Sequence, residues 1–146
     1  DVDKRQKYVK AAYGPYAENL NHVLQAMEGH YTRGYGDRSQ EPRIHLLPGV
    51  TQEAESFLES REQSLDHLTQ VRRLVDGWET PYGLELLATT HWALTRAEMQ
   101  INSRGDLYNY VASWTPRKAR LFKANQIDRA VDHLVSTGTA SCRSWM

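Results

Sequence analysis

Apolar residues recur along this chain at helical spacing and almost nowhere at strand spacing. Tyr16, Leu20, Val23, Leu24 and Met27 fall at i, i+4, i+7, i+8 and i+11, the period of an amphipathic helix. Gly29 predicts its C-terminal stop. Residues 32–50 (TRGYGDRSQEPRIHLLPGV) hold three glycines and two prolines. They read as a loop with one short extended piece at Ile44–Leu47. A second helix is expected from an N-cap at Thr51 toward Val75, bent around residues 60–64 and stopping near Gly77. It would bury Ala54, Phe57, Leu58, Leu65 and Leu68. A third is expected from N-cap Thr80 and Pro81, with Leu84, Leu87, Ala88 and His91 on one face. Asp106–Trp114 predicts a short helix burying Leu107, Tyr110, Val111 and Trp114. Thr115 and Pro116 repeat the Thr-Pro start. Asn125 is expected to cap a last helix that buries Ile127, Ala130, Val131 and Leu134 and ends at Gly138.

The pattern predicts an all-α fold, a bundle of five to six helices with one long Gly/Pro-rich loop. Residues 1–138 read as one domain and 139–146 as a flexible tail. Two stretches stand out within it. YGPY at residues 13–16 and ETPYG at residues 79–83 each place a proline where a helix is expected to begin, with tyrosines around it. Tyr16 and Trp92 fit core positions. Tyr13, Tyr35, Trp78 and Tyr82 stand beside Gly or Pro in turns, where amphipathic rings serve equally as core or as interface anchors.

Composition adds little selectivity. The chain has 146 residues, 40% apolar and 25% charged, with 18 basic and 18 acidic side chains, ordinary for one globular domain. Charge is uneven, however: residues 51–80 carry seven acids against three bases, and residues 81–146 eight bases against five acids. A single cysteine, Cys142, excludes an internal disulfide and fits a reducing compartment. No run approaches the ~20 apolar residues of a bilayer span. A cytoplasmic protein without membrane contact is the expectation.

Candidate chemistry is sparse. The six histidines are His22, His30, His45, His67, His91 and His133, and no two have the i, i+4 spacing of a helical zinc site. No nucleophile elbow or phosphate-cradling glycine loop is present. A hydrolase built on His22, Glu28 and His30 would lack a nucleophile–base arrangement. Glu55, Glu59, Glu62 and Asp66 fall at i, i+4, i+7 and i+11, a single row on one helix. That row is either a solvated face or a line of charge shaped for a groove that holds a nucleic-acid backbone. Arg117, Lys118, Arg120 and Lys123 are either phosphate contacts or a paired surface. On the first alternative the chain would be a sequence-specific DNA-binding module that autoregulates an operon.

Three segments, YGPYAENLNHVLQAMEGHYTRGYGDR, ETPYGLELLATTHW and WTPRKARLFKANQIDRAVDHL, span about residues 8–136. In that order they resemble the C-terminal domain of DarG-type antitoxins, the bacterial partners of DarT toxins. In that family DarT is an NAD-dependent ADP-ribosyltransferase that modifies thymidine in single-stranded DNA. DarG joins a macrodomain that removes the modification to a C-terminal domain that binds and blocks DarT. The macrodomain is absent from this sequence, so the resemblance implies a non-enzymatic domain without cofactor or metal. The family also has helical sequence before the YGPY segment, which implies a domain shortened at its N-terminus. The implied partner is a DarT-type toxin, blocked at its single-stranded DNA and NAD site by mimicry of DNA. Expected contacts are Tyr13, Tyr16, Asn19, His22, Tyr35, Asp37 and Arg38 from the first segment and Trp78, Glu79 and Tyr82 from the second. The acidic row Glu55, Glu59, Glu62 and Asp66 completes the set, with carboxylates in the place of phosphates.

Overall fold

The computed structural model describes residues 7–36 and 43–141. They form two units: residues 7–9, 16–36 and 43–67 in the first, and 10–15 and 68–141 in the second. Seven helices dominate the described residues and only two small two-stranded sheets accompany them, so the predicted helical class holds.

The first helix begins later than the YGPY motif suggests. Gly14 and Pro15 belong to a short strand, β2 (Gly14–Tyr16), which pairs with β1 (Val9–Ala11). Proline's fixed φ and missing N–H suit an outer strand as well as a first helical turn, and the extended option is taken. Helix α1 (Glu18–Met27) starts after Ala17, which offers no side-chain cap, and stops as expected before Gly29, whose φ of +80° only glycine adopts readily. Within the predicted loop, β3 (Thr32–Arg33) and β4 (His45–Leu46) pair antiparallel, Thr32 opposite Leu46 and Arg33 opposite His45. Two-residue strands are too short to show any alternation in sequence.

The predicted second helix is two helices. α2 (Val50–Leu58) is preceded by Gly49 rather than capped by Thr51, and α3 (Glu62–Val75) follows a break at residues 59–61. Their expected buried face is not covered. Ala54, Phe57, Leu65 and Leu68 are exposed and Leu58 is half-buried. Nor does α1 bury any residue, and Tyr16, read as core, is 44% exposed. Of the first unit's described residues, only Ala17, Thr32 and Val50 are buried. A unit this small shields a lesser share of its surface, and periodicity alone cannot supply an opposing layer.

The second unit contains the core. α4 (Pro81–Arg96) packs against α5 (Arg104–Trp114) and α7 (Ala124–Ser136), and α5 against α6 (Pro116–Leu121). Local capping sets the starts: Thr80 Oγ1 accepts from the Gly83 N–H at 3.0 Å, Ser103 Oγ from Asp106 at 3.1 Å, and Thr115 Oγ1 from Lys118 at 3.2 Å. Leu107, Tyr110, Val111, Trp114, Ile127, Ala130, Val131 and Leu134 are buried as expected. α4 differs: Leu84 and Ala88 are exposed, while Leu86, Thr89, Thr90, Trp92, Ala93 and Leu94 join Leu87 inside. Two helix neighbours on different sides widen the buried arc beyond one stripe. α7 is capped two residues earlier than expected: Lys123 takes that place, its N–H donating to Gln126 Oε1 at 3.0 Å, and Asn125 lies within the first turn. Gly138 ends the helix at φ +71°, and Thr139 and Ala140 N–H groups return to the Leu134 carbonyl, with Ala140 buried. Cys142 lies outside the described residues.

A methyl group on Gly83 would stand 2.7 Å from the Trp78 carbonyl oxygen and 3.0 Å from Thr80 Oγ1. Gly83→Ala should therefore destabilise the second unit by about 1–3 kcal/mol, the usual cost of overpacking, despite alanine's better helix propensity. A thermal melt followed by circular dichroism checks this; an unchanged or raised Tm would show that the Trp78 carbonyl yields freely.

Candidate functional site

In the first unit, Glu28 organises the stretch that carries Tyr35. Its carboxylate accepts the backbone N–H of Gly34 at 2.9 Å and of Tyr35 at 3.0 Å. The Tyr35 hydroxyl bonds to the Asn21 amide oxygen on α1. Glu28 is thereby engaged in holding a turn, which removes it from the weighed hydrolase set of His22, Glu28 and His30. Tyr35 is half-buried and internally bonded. Tyr16, Asn19 and His22 are exposed, with Asn19 and His22 one turn apart on α1. Asp37 and Arg38 lie outside the described residues.

The acidic residues are all exposed, but the row is divided. Glu55 and Glu59 stand one turn apart on α2 and its C-cap, joined by the Glu59 N–H to Glu55 carbonyl bond of 3.1 Å. Glu62 and Asp66 stand one turn apart on α3. The break between the helices ends the helical register between Glu59 and Glu62, three residues apart in sequence, so a single straight row on one helix is not formed. Arg61 occupies the break: its guanidinium lies 3.6 Å from the Phe57 ring centroid and donates to the Phe57 carbonyl at 2.6 Å.

The second unit assembles Trp78 and Tyr82 around the α4 start. Trp78 tilts against His133 at 5.4 Å between centroids, and Tyr82 meets Phe122 edge-on at 5.5 Å. His133 Nε2 lies 2.8 Å from the Leu74 carbonyl oxygen. Trp78 and Tyr82 line an open groove of about 390 Å³ with Thr80, Leu86, Gln126 and Arg129. Both rings are half-buried, partly core and partly available, and Glu79 between them in sequence is exposed. The Tyr82 hydroxyl is buried with no hydrogen-bond partner among the described residues, and burial pushes its pKa up.

The sequence reading missed a buried polar cluster centred on Lys118. Read as either a phosphate contact or part of a paired surface, Lys118 is 0% exposed. Its ammonium donates to Glu85 Oε1 at 2.6 Å, to Thr89 Oγ1 at 3.0 Å and to the Tyr13 carbonyl at 3.3 Å. The Trp114 and Phe122 ring centroids stand 5.4 and 5.0 Å away. Arg117 also donates to Glu85 Oε1, at 2.6 Å. Of the four basic residues, Lys118 is thus internal and Arg117 is held in an ion pair. Burial holds Lys118 below the usual lysine pKa, against the opposing pull of Glu85. Burial raises the Glu85 pKa, but hydrogen bonds from Arg117 and Lys118 outweigh it and the net shift is downward. One signal for this pair was in the sequence: Glu85 is the only acidic residue of α4, one turn before Thr89. Among the described residues no group of three His, Cys, Asp or Glu side chains is placed to hold a metal.

No protein-family profile matches the chain. The chain is 38% identical over 144 residues, 99% of its length, to a DNA ADP-ribosyl glycohydrolase of Thermus aquaticus. It is 34% identical over 146 residues, 94% of its length, to proteins of that name from Mycobacterium bovis and Mycobacterium tuberculosis. The chain spans about two fifths of the length of these curated relatives, 39% of the first and 40% of the others. These matches support a relation to DarG-type proteins along nearly the whole chain.

The two ends of the buried ion pair should respond unequally. Glu85→Ala strands Lys118 in the core and should cost about 3–5 kcal/mol. Lys118→Met leaves Glu85 on Arg117 and should cost about 1–3 kcal/mol, mainly through unbonded acceptors. Urea denaturation of both variants decides the order. Because the folded state holds Glu85 below its ordinary pKa, its contribution is complete above that value and lost as pH falls through the lowered one. Glu85→Gln should flatten that part of the acid limb of stability against pH; an unaltered limb would place the titration elsewhere.

Proposed function

We propose that this chain is a binding domain that neutralises a DarT-type DNA ADP-ribosyltransferase by occupying its single-stranded DNA and NAD site, without catalysis or cofactor of its own. The observation that carries the reading is the uncovered apolar surface of the first unit. Phe57 is 58% exposed and Leu46 67%, and Tyr16, Leu20, Val23, Tyr31, Ile44 and Leu65 are exposed with them. Soluble proteins rarely leave so many large apolar side chains in water unless another molecule covers them. The relatives' name is that of enzymes acting on ADP-ribosylated DNA, the modification that a DarT-type partner would install.

Charge and rings supply the complementarity. Glu55 with Glu59, and Glu62 with Asp66, form two exposed acidic pairs beside the apolar residues of α2 and α3. On this reading the carboxylates take the places of DNA phosphates in a basic cleft, and exposed rings take the places of stacked bases. Two pairs with a bend between them suit a curved strand as well as a straight row would. Tyr13, Tyr16, Asn19, His22, Asp37, Arg38, Trp78, Glu79 and Tyr82 remain the other proposed contacts, and Tyr35 is proposed mainly to set the shape of its turn. No helix among the described residues is long and apolar enough to cross a membrane, and the proposed place of action is the bacterial cytoplasm, where the toxin meets DNA.

Titrating the chain into a DarT-type toxin with NAD and single-stranded DNA should stop modification at near-stoichiometric ratio, and the two proteins should co-elute. Glu55→Lys with Glu59→Lys and Glu62→Lys should weaken inhibition at least about tenfold, since like charges across an interface cost several kcal/mol, while helicity is retained. Full inhibition by the reversed variant would leave steric blocking and remove mimicry. Toxin activity undiminished by excess wild-type chain would end the reading.

A further inference from the structure

We infer that Tyr13 is a rigid aromatic anchor of the partner surface, and that the buried Lys118 is the residue that positions it. This rests on the toxin-binding reading above. The Tyr13 side chain is 73% exposed, so it adds little to the core. Its backbone is nevertheless tied into the second unit from several sides. Lys118 Nζ donates to the Tyr13 carbonyl, and Trp114 Nε1 donates to the Ala11 carbonyl at 2.8 Å. The Lys10 ammonium lies 4.5 Å from the Tyr110 ring centroid and 4.7 Å from that of Trp114. Arg117, held by Glu85, sets its guanidinium 5.2 Å from the Tyr13 ring centroid.

A turn that merely closed the chain would not need a fully desolvated ammonium beneath it. Well-packed apolar residues serve stability as well as a buried ion pair, or better. What the ion pair adds here is direction: an ammonium fixed by Glu85 and Thr89 also donates to the Tyr13 carbonyl, while the Tyr13 side chain itself stands in water. A tyrosine held so loses little freedom on association, and tyrosine is among the side chains that dominate interface energies. The partner feature that suits it is a flat apolar slot, such as one that otherwise receives an unpaired base.

Association and dissociation rates with a DarT-type toxin, measured by biolayer interferometry, test both parts. Tyr13→Ala should keep the wild-type Tm and bind at least about tenfold more weakly, chiefly through faster dissociation. Lys118→Met should lower the association rate, because fewer molecules present the ring correctly. Lys118→Gln, which keeps a donor toward the carbonyl, should restore most of it. The Tyr13→Ala, Lys118→Met pair should bind no more weakly than Tyr13→Ala alone, a coupling that a general loss of stability would not give. Should Lys118→Met not fold, Trp114→Phe releases the Ala11 carbonyl while keeping a ring, and should be masked by Tyr13→Ala in the same way. Wild-type binding by Tyr13→Ala overturns the anchor, and losses that multiply in the paired variant overturn the positioning role. A wild-type chain that does not bind the toxin overturns the underlying reading instead.

Discussion

An ammonium withdrawn wholly from water must find a counter-charge and acceptors within hydrogen-bond reach. Lys118 finds them in Glu85, Thr89 and the Tyr13 carbonyl. Those partners come from α4 and from the turn between β1 and β2, while Lys118 itself sits in α6. One side chain therefore relates three parts of the second unit: parting α4 from α6 would strand a charge, and shifting the turn would remove one of the ammonium's acceptors. The Arg117–Glu85 pair and the Trp114 bond to Ala11 repeat the same linkage at its edge. Around this node the rings of Trp114, Phe122, Tyr110 and Trp92 fill the space between α4, α5 and α6.

The two units differ in how they satisfy their apolar residues. Hydrophobic side chains of α4 to α7 cover one another and form a continuous core. Those of α1 and α2 remain largely in contact with solvent, although both helices are as clearly amphipathic in sequence. The first unit is organised instead by hydrogen bonds, with Glu28 gathering the N–H groups of its turn and β3 pairing with β4. Such a unit keeps its local shape while leaving apolar surface uncovered.

Much of the helix pattern was legible because its determinants lie within a few residues of one another. Thr80 with Pro81, and Thr115 with Pro116, announce helices through a hydrogen bond three residues long. Gly29 and Gly138 announce stops through a backbone conformation few other residues adopt. The same locality explains the misreadings. YGPY carries no cap for its apparent helix, and Pro15 is as well suited to a short strand. The run from Thr51 to Val75 has continuous helical period, and the bend expected around residues 60–64 is a full break at residues 59–61, where Arg61 folds back on Phe57.

The candidate site was legible in residue type more than in geometry. The carboxylates on α2 and α3 keep the one-turn spacing read within each pair, but not the single row read across all four, and the rings at Trp78 and Tyr82 are half-buried. Lys118 stood in plain view as one basic residue of four, and nothing next to it in sequence marks it as buried. Its counter-charge lies 33 positions away, on a helix whose acidic residue is conspicuous only once the two are seen together. Taken alone, the chain determined where most helices begin and end, because caps, glycine stops and periodicity act over one or two turns. Only the tertiary structure decided which faces are covered and which charge is internal, because burial depends on what distant segments bring to the opposite side.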